Sequence, residues 1–194
     1  FRNVTGVQTC ALPILKVPVM MALLAEAEKK PDLLKTKVEF KHHFNTQLNQ
    51  TITGETLKPN QYYSIADLLY YLIAFSDNDA DILLGQQLNF KDLENIFESI
   101  NLKPPAYGQQ DYLITASDYA IFFNVLFNAS CLGRNMSEYS LQLLTHCAYK
   151  DGLTKYIDST VTVAHKFGER GNEFEQELHE CGIVYLQNKP YLIS

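Results

Sequence analysis

Near residue 160 the hydrophobic pattern of this 194-residue chain changes period, and that change restricts the fold more than any other feature. Before it, apolar side chains recur at helical spacing. Ile65, Leu68, Leu69, Leu72 and Ile73 lie on one face of a helix running to Phe75. After it, Val161 and Val163 lead into an alternating stretch, where Phe174, Gln176 and Leu178 interleave with Glu173, Glu175 and Glu177. Two more strand-like stretches follow, at 182–186 and 190–193. Helices first and consecutive strands afterwards predict an α+β fold, an antiparallel sheet backed by helices.

Helix boundaries are written in capping chemistry. Residues 15–29 are rich in Ala, Leu, Met and Glu; Pro18 fits only in their first turn and Pro31 stops them. Ser64-Ile65-Ala66-Asp67 is an S-x-x-D helix start, and Thr115-Ala116-Ser117-Asp118 repeats it before a helix ending near residue 127. Residues 76–78 are a polar interruption, after which 80–88 resume the helix. Further helices are expected at 90–100 and 137–147, with one more helical turn at 152–157. Residues 37–57 suit short strands or loop, and 103–111, with two prolines and a glycine, suit loop. The length suits one domain, at roughly 100–200 residues each.

The net charge of −6 argues against a nucleic-acid partner, which needs a clustered positive footprint, and against adhesion to an anionic membrane surface. The longest apolar run, 17–25, falls short of the ~18 residues of a membrane-spanning helix. Cys10, Cys131, Cys147 and Cys181 form no C-x-x-C pair and no zinc ladder, and are read as buried free thiols rather than disulfides. Residues 1–14 have no amphipathic period, and 4–14 (VTGVQTCALPI) read as a translated sequencing-library adapter. The expectation is a non-native segment 1–14 followed by a single domain, 15–194, truncated at both ends.

Three polar features could carry chemistry. Lys16 opens an apolar helix; it is either a snorkelling surface lysine or a desolvated amine able to take a proton from a nucleophile one turn earlier. Position 13 is that turn, and it holds Pro13. Ser76-Asp77-Asn78 between two helices could simply cap, or supply a proton-relaying hydroxyl and a substrate-gripping amide. Lys166-Phe167-Gly168 lies on a strand, where a glycine removes bulk so that a ligand backbone can pair alongside.

In this order the three motifs resemble the penicillin-recognising serine hydrolases, the group of class A β-lactamases and penicillin-binding proteins. The surrounding wording is similar too: LKVPVMMALLA at 15–25, FSDNDA at 75–80, VAHKFG at 163–168 and HECGIVY at 179–185. The resemblance implies a β-lactamase/transpeptidase-like fold and an extracytoplasmic hydrolase, without cofactor or metal, acting as a monomer on a small-molecule β-lactam or a peptidoglycan peptide. Its nucleophilic serine would fall at Pro13. Lys16 would take the serine proton, Ser76 would pass a proton to the leaving nitrogen, and Asn78 would hold the substrate amide. Lys166 would attract the substrate carboxylate, with Phe167 and Gly168 lining the same strand. The oxyanion hole would use the backbone N–H groups of position 13 and Glu169.

Several positions depart from that pattern. Proline lacks both nucleophile and N–H, and losing one oxyanion-hole donor costs about a hundred- to a thousandfold in turnover. The chain as written is therefore expected to be inert. Phe167 stands where the group has Thr or Ser, whose hydroxyl bonds the substrate carboxylate. The class A segment E-x-x-L-N, whose Glu activates the deacylating water, does not follow Asn78; the late acids there, Glu98 and Asp111, read as solvated. Without such a base, an acyl-enzyme would hydrolyse slowly, as in a penicillin-binding or D-alanyl-D-alanine peptidase-like enzyme. A non-catalytic scaffold that binds cell-wall peptide is the rival from another class. His42-His43 point to opposite faces of a strand with no third metal ligand. His165 and His179 read as hydrogen-bonded scaffold, and the acidic run 169–180 as a solvated strand face.

Overall fold

The computed structural model describes residues 8–10, 15–44, 54–109, 112–171, 176–187 and 189–194. Position 13, Asp111 and residues 173–175 of the expected alternating strand lie outside them. The chain order is β1 (Gln8–Cys10), α1 (Lys16–Lys29), β2 (Lys37–Phe40), β3 (Gln61–Ser64), α2 (Ile65–Ala74), α3 (Asn78–Gln87), α4 (Phe90–Ser99), β4 (Leu113–Thr115), α5 (Ala116–Phe127), α6 (Arg134–Thr145), β5 (Thr162–Gly171), β6 (Gln176–Leu186) and β7 (Lys189–Ile193).

Helix α1 is apolar nearly all round, and every residue from Lys16 to Leu24 is buried. Such a helix can be stable only inside a protein, and α1 packs against α2, α4 and α6 at the centre of the core. Both expected capping boxes mark real helix starts. Ser64 Oγ accepts from the Asp67 N–H while Asp67 accepts from the Ser64 N–H, at 3.1 and 2.9 Å. Thr115 Oγ1 accepts from the Asp118 N–H at 3.0 Å.

The main sheet is antiparallel in the order β5-β6-β7, so β5 is an edge strand among the described residues. Register partners share a face, which places Ala164 with Ile183 and Lys166 with Cys181. Ala164, Cys181 and Ile183 belong to the core, with α5 and α6 packed against the sheet. Lys166 therefore enters the helical layer from the free edge of the sheet.

The structure corrects four readings. The helix expected at 137–147 starts and ends earlier, at Arg134 and Thr145. Residues 152–157 form turns, closed by Lys155 N–H to Gly152 O and Ile157 N–H to Thr154 O, and do not join into a helix. β3 and β4 precede helices where no strand was expected; they pair with the distant β2 and β1, and three or four residues carry too short a pattern to show it. Glu180, expected on a solvated face, is half-buried: it pairs with His165 and accepts from the Leu153 N–H at 2.7 Å.

Candidate functional site

Lys16 is 3% exposed and projects from the first turn of α1 toward the α2–α3 junction. Its ammonium donates to Ser76 O, to Ser76 Oγ at 2.9 Å and to Asn78 Oδ1 at 2.9 Å. Three N–H bonds thus meet three acceptors, the full capacity of an ammonium. Burial lowers the Lys16 pKa, against the raising influence of Asp81, Asp77 and Glu169.

The junction is shaped to meet that lysine. Helix α2 ends at Ala74 with Phe75 as its C-cap, Ser76 adopts a left-handed φ of 56°, and Asp77 caps α3 by accepting from the Ala80 N–H at 2.7 Å. Asp77 also accepts from the Leu57 N–H at 3.3 Å, and burial raises its pKa. Capping and functional readings of this tripeptide are not exclusive. Asp77 caps, while its two neighbours turn to the lysine.

Lys166 is fully buried on β5. Its ammonium donates to Phe167 O at 2.8 Å and sits 4.1 Å from the centre of the Phe167 ring. That ring is 2% exposed and packs at a tilt against Tyr149, with centroids 4.9 Å apart. Burial lowers the Lys166 pKa to about 7, helped by the nearby charge of Lys16 and opposed by Cys147, Asp81 and Glu180. Gly168 is buried opposite His179, and Glu169 is half-buried next along the strand.

Behind Lys166 lies a second polar group. His165 Nδ1 contacts Glu180 Oε1, while its Nε2 is buried without a hydrogen-bond partner. The Cys147 thiol adjoins this imidazole. Burial would lower the His165 pKa, but its contacts with Cys147 and Glu180 raise it to about 9. Burial would raise the thiol, yet His165 and Lys166 together hold it below its ordinary value. His179 was expected to be hydrogen-bonded scaffold; its Nε2 is buried with no partner, its ring meets Tyr119 edge-on, and burial lowers its pKa to about 4.

The structure thus joins Lys16, Ser76 and Asn78 by direct hydrogen bonds and places Lys166 within charge range of Lys16. Sequence reasoning missed Asp81, whose half-buried carboxyl is raised by burial and lowered by both lysines. Its spacing of one helical turn from Asn78 was the available signal. Glu98 is exposed and pairs with Lys91 at 3.5 Å, away from this cluster. His43 pairs with Asp79 at 2.7 Å. Among the described residues no group of His, Cys, Asp and Glu could hold a metal ion, and no helix is long and apolar enough to cross a membrane.

The family model described as "Beta-lactamase enzyme family" matches residues 9–194. No curated protein matches the chain. Among solved structures, a β-lactamase from Sphaerobacter thermophilus DSM 20745 superposes with a TM-score of 0.76 at 16% identity, covering 99% of this chain and 75% of that one. A class A β-lactamase representative from Bacteroides cellulosilyticus DSM 14838 gives 0.76 at 21% identity, covering 96% and 74%. A mutant of PBP-A, in an acyl-enzyme complex with penicillin G, gives 0.69 at 17% identity, covering 93% and 69%. At these identities the superpositions establish a shared β-lactamase/transpeptidase-like fold.

Proposed function

Because this chain belongs to the β-lactamase enzyme family, we propose that Lys16, Ser76, Asn78 and Lys166 are the polar machinery of a serine hydrolase of class A β-lactamase type. The intact site would open a β-lactam amide through an acyl-serine intermediate. One observation carries the reading: the buried Lys16 ammonium is bonded to Ser76 Oγ and Asn78 Oδ1 across 60 or more residues of sequence.

The chemistry follows from that contact. A serine at position 13 would add its oxygen to the amide carbon and lose its proton to the neutral form of Lys16. Burial favours that neutral form. The carbon–nitrogen bond then breaks, and the leaving nitrogen takes a proton from Ser76 Oγ, replenished by Lys16 at 2.9 Å. The backbone N–H of Glu169 and that of position 13 would bind the oxyanion, with Gly168 admitting the ligand to the β5 edge. The protein would act outside the cytoplasm, as a monomer, on a small-molecule β-lactam or peptidoglycan peptide.

With Pro13 in place the chain does not acylate. We take residues 1–14 as foreign to the gene, and sequencing the source locus across codon 13 tests this directly. In the Pro13→Ser chain, intact mass after adding penicillin G should show an acyl adduct that Lys16→Ala abolishes. Absence of any adduct would overturn the proposal.

The lifetime of the adduct separates two enzymes. Rapid turnover marks a β-lactamase. A persistent adduct marks a penicillin-binding or D-alanyl-D-alanine peptidase-like enzyme, which the missing E-x-x-L-N segment favours. If genuine DNA encodes Pro13, the reading becomes a non-catalytic protein that binds cell-wall peptide. The engagement of Lys166 by the Phe167 ring supports that second reading.

A further inference from the structure

We infer that Cys147, His165 and Glu180 form an oxidation site, at which hydrogen peroxide converts the Cys147 thiol to a sulfenic acid. The inference needs neither a serine at position 13 nor a bound ligand, so it stands apart from the proposed function.

Three parts of the fold bring the group together. Cys147 lies two residues past the end of α6, His165 is on β5 and Glu180 is on β6. In the β5–β6 register His165 faces Gly182 and Phe167 faces Glu180, so His165 and Glu180 are diagonal neighbours on one face of the sheet. Glu180 Oε1 contacts His165 Nδ1, and Glu180 Oε2 accepts from the Leu153 N–H at 2.7 Å. A Cβ on Gly152 would come within 1.8 Å of Glu180 Oε2, so the bare glycine lets the chain close over the carboxylate. With Nδ1 held by Glu180, the buried Nε2, which has no hydrogen-bond partner, is the nitrogen left for the adjoining Cys147 thiol. The Tyr149 backbone N–H also meets the sulfur. A thiol, an imidazole and a carboxylate that fixes the imidazole are the parts of an activated nucleophile.

The surrounding charges favour a thiolate. His165 and Lys166 both hold the thiol below its ordinary value, and the Lys150 ammonium donates to Cys147 O at 2.9 Å. Cys147 and His165 are fully buried, which restricts the reagent to a small one. Residues 148–160, which wrap the group, run through turns without helix or strand, the kind of segment that opens locally at low cost. Hydrogen peroxide is small and carries its own leaving group. The thiolate sulfur attacks one peroxide oxygen, an S–O bond forms and the O–O bond breaks. The departing hydroxide takes the proton of His165 Nε2 and leaves as water. Sulfur gives up two electrons and the peroxide gains them. The sulfenic acid is reversible, since an added thiol condenses with it.

Two other cysteines serve as internal controls. Cys181 is equally buried, and burial pushes its thiol up to about 12. Cys131 is the more exposed, with Ser99 Oγ 3.3 Å from its sulfur. The full chain at neutral pH is given dilute hydrogen peroxide briefly, the peroxide is destroyed with catalase, and the chain is unfolded in dimedone, which tags sulfenic acids wherever they sit. Peptide mass spectra then compare the three thiols. Cys147 should carry about tenfold more tag than either control, or better, because reactivity follows the thiolate. His165→Gln should bring Cys147 down to the level of the controls, and Glu180→Gln, the same in shape, should lower its tag several-fold. Tag that follows exposure, highest at Cys131, would overturn the inference. So would equal tag at Cys147 and Cys181, the mark of reaction through general unfolding. A Cys147 preference that either folded variant leaves unchanged would overturn it as well.

Discussion

Ser76 holds a φ of 56°, in a region that non-glycine residues enter only when their surroundings insist. Such strain costs of order 1–3 kcal/mol and persists where neighbouring contacts over-determine it. Here the contacts are the two bonds from Lys16, to the carbonyl and the hydroxyl of the same residue. Removing the lysine should therefore hurt more than removing the serine side chain. Lys16→Met keeps the volume but leaves Ser76 O and Asn78 Oδ1 buried without that donor, a loss of about 1–3 kcal/mol. Ser76→Gly gives up one hydroxyl bond while relaxing the backbone, so its loss should be the smaller. Urea midpoints of the two variants check the order, and an equal or reversed ranking would refute the account. Lys16, the Ser-Asp-Asn tripeptide and Lys166 could be singled out in sequence because their order along the chain resembles a known motif set, although each alone was a weak signal. The capture of Lys166 by Phe167 could not, since a ring on the neighbouring residue can turn toward or away from it.

At the scale of elements, the helices announced themselves through their caps, whereas short strands did not. The Ser64–Asp67 box is a property of four consecutive residues and is visible without any fold. The pairing of β2 with β3 joins residues more than twenty apart, and neither partner alone carries enough alternation to reveal it. Two glycines show the same contrast. Gly85 lies inside α3 with open space around its missing side chain, so Gly85→Ala should stabilise the protein by about 0.5–1 kcal/mol through helix propensity. Gly182 lies in β6 opposite His165, where a Cβ would come within 2.6 Å of the His165 Cβ and 3.0 Å of Ala164 O. Gly182→Ala should therefore destabilise by about 1–3 kcal/mol through overpacking. Thermal midpoints moving in opposite directions would support this reading of the two environments. Parallel shifts would sink it.

For the whole molecule, the buried titratable groups near the sheet set how stability depends on pH, and two of them oppose each other. Lys166 falls from its ordinary 10.5 to about 7 in the folded protein. Between those values the unfolded chain holds a proton that the native protein has released, so stability rises with pH across this window. His165 rises from 6.5 to about 9. From 6.5 to 9 the native protein holds the proton and the unfolded chain does not, so that contribution is lost as pH increases. In their overlap the two slopes oppose one another, with the lowered Cys147 thiol adding to the rising side, and the slope of the unsubstituted chain between pH 7 and 9 should lie between those of the two variants below. Single substitutions should expose each slope: Lys166→Met leaves stability falling toward pH 9, and His165→Gln leaves it rising. His179 acts lower down, against the raised carboxyls of Asp77 and Asp81. Its pKa drops from 6.5 to about 4, so the stability gained from burying it neutral is lost as pH falls through that range. His179→Phe should flatten the acid limb while leaving the alkaline limb unchanged. Urea midpoints measured from pH 4 to 9 for the four proteins decide the matter, and matching slopes in the Lys166 and His165 variants would show that these groups do not govern the profile.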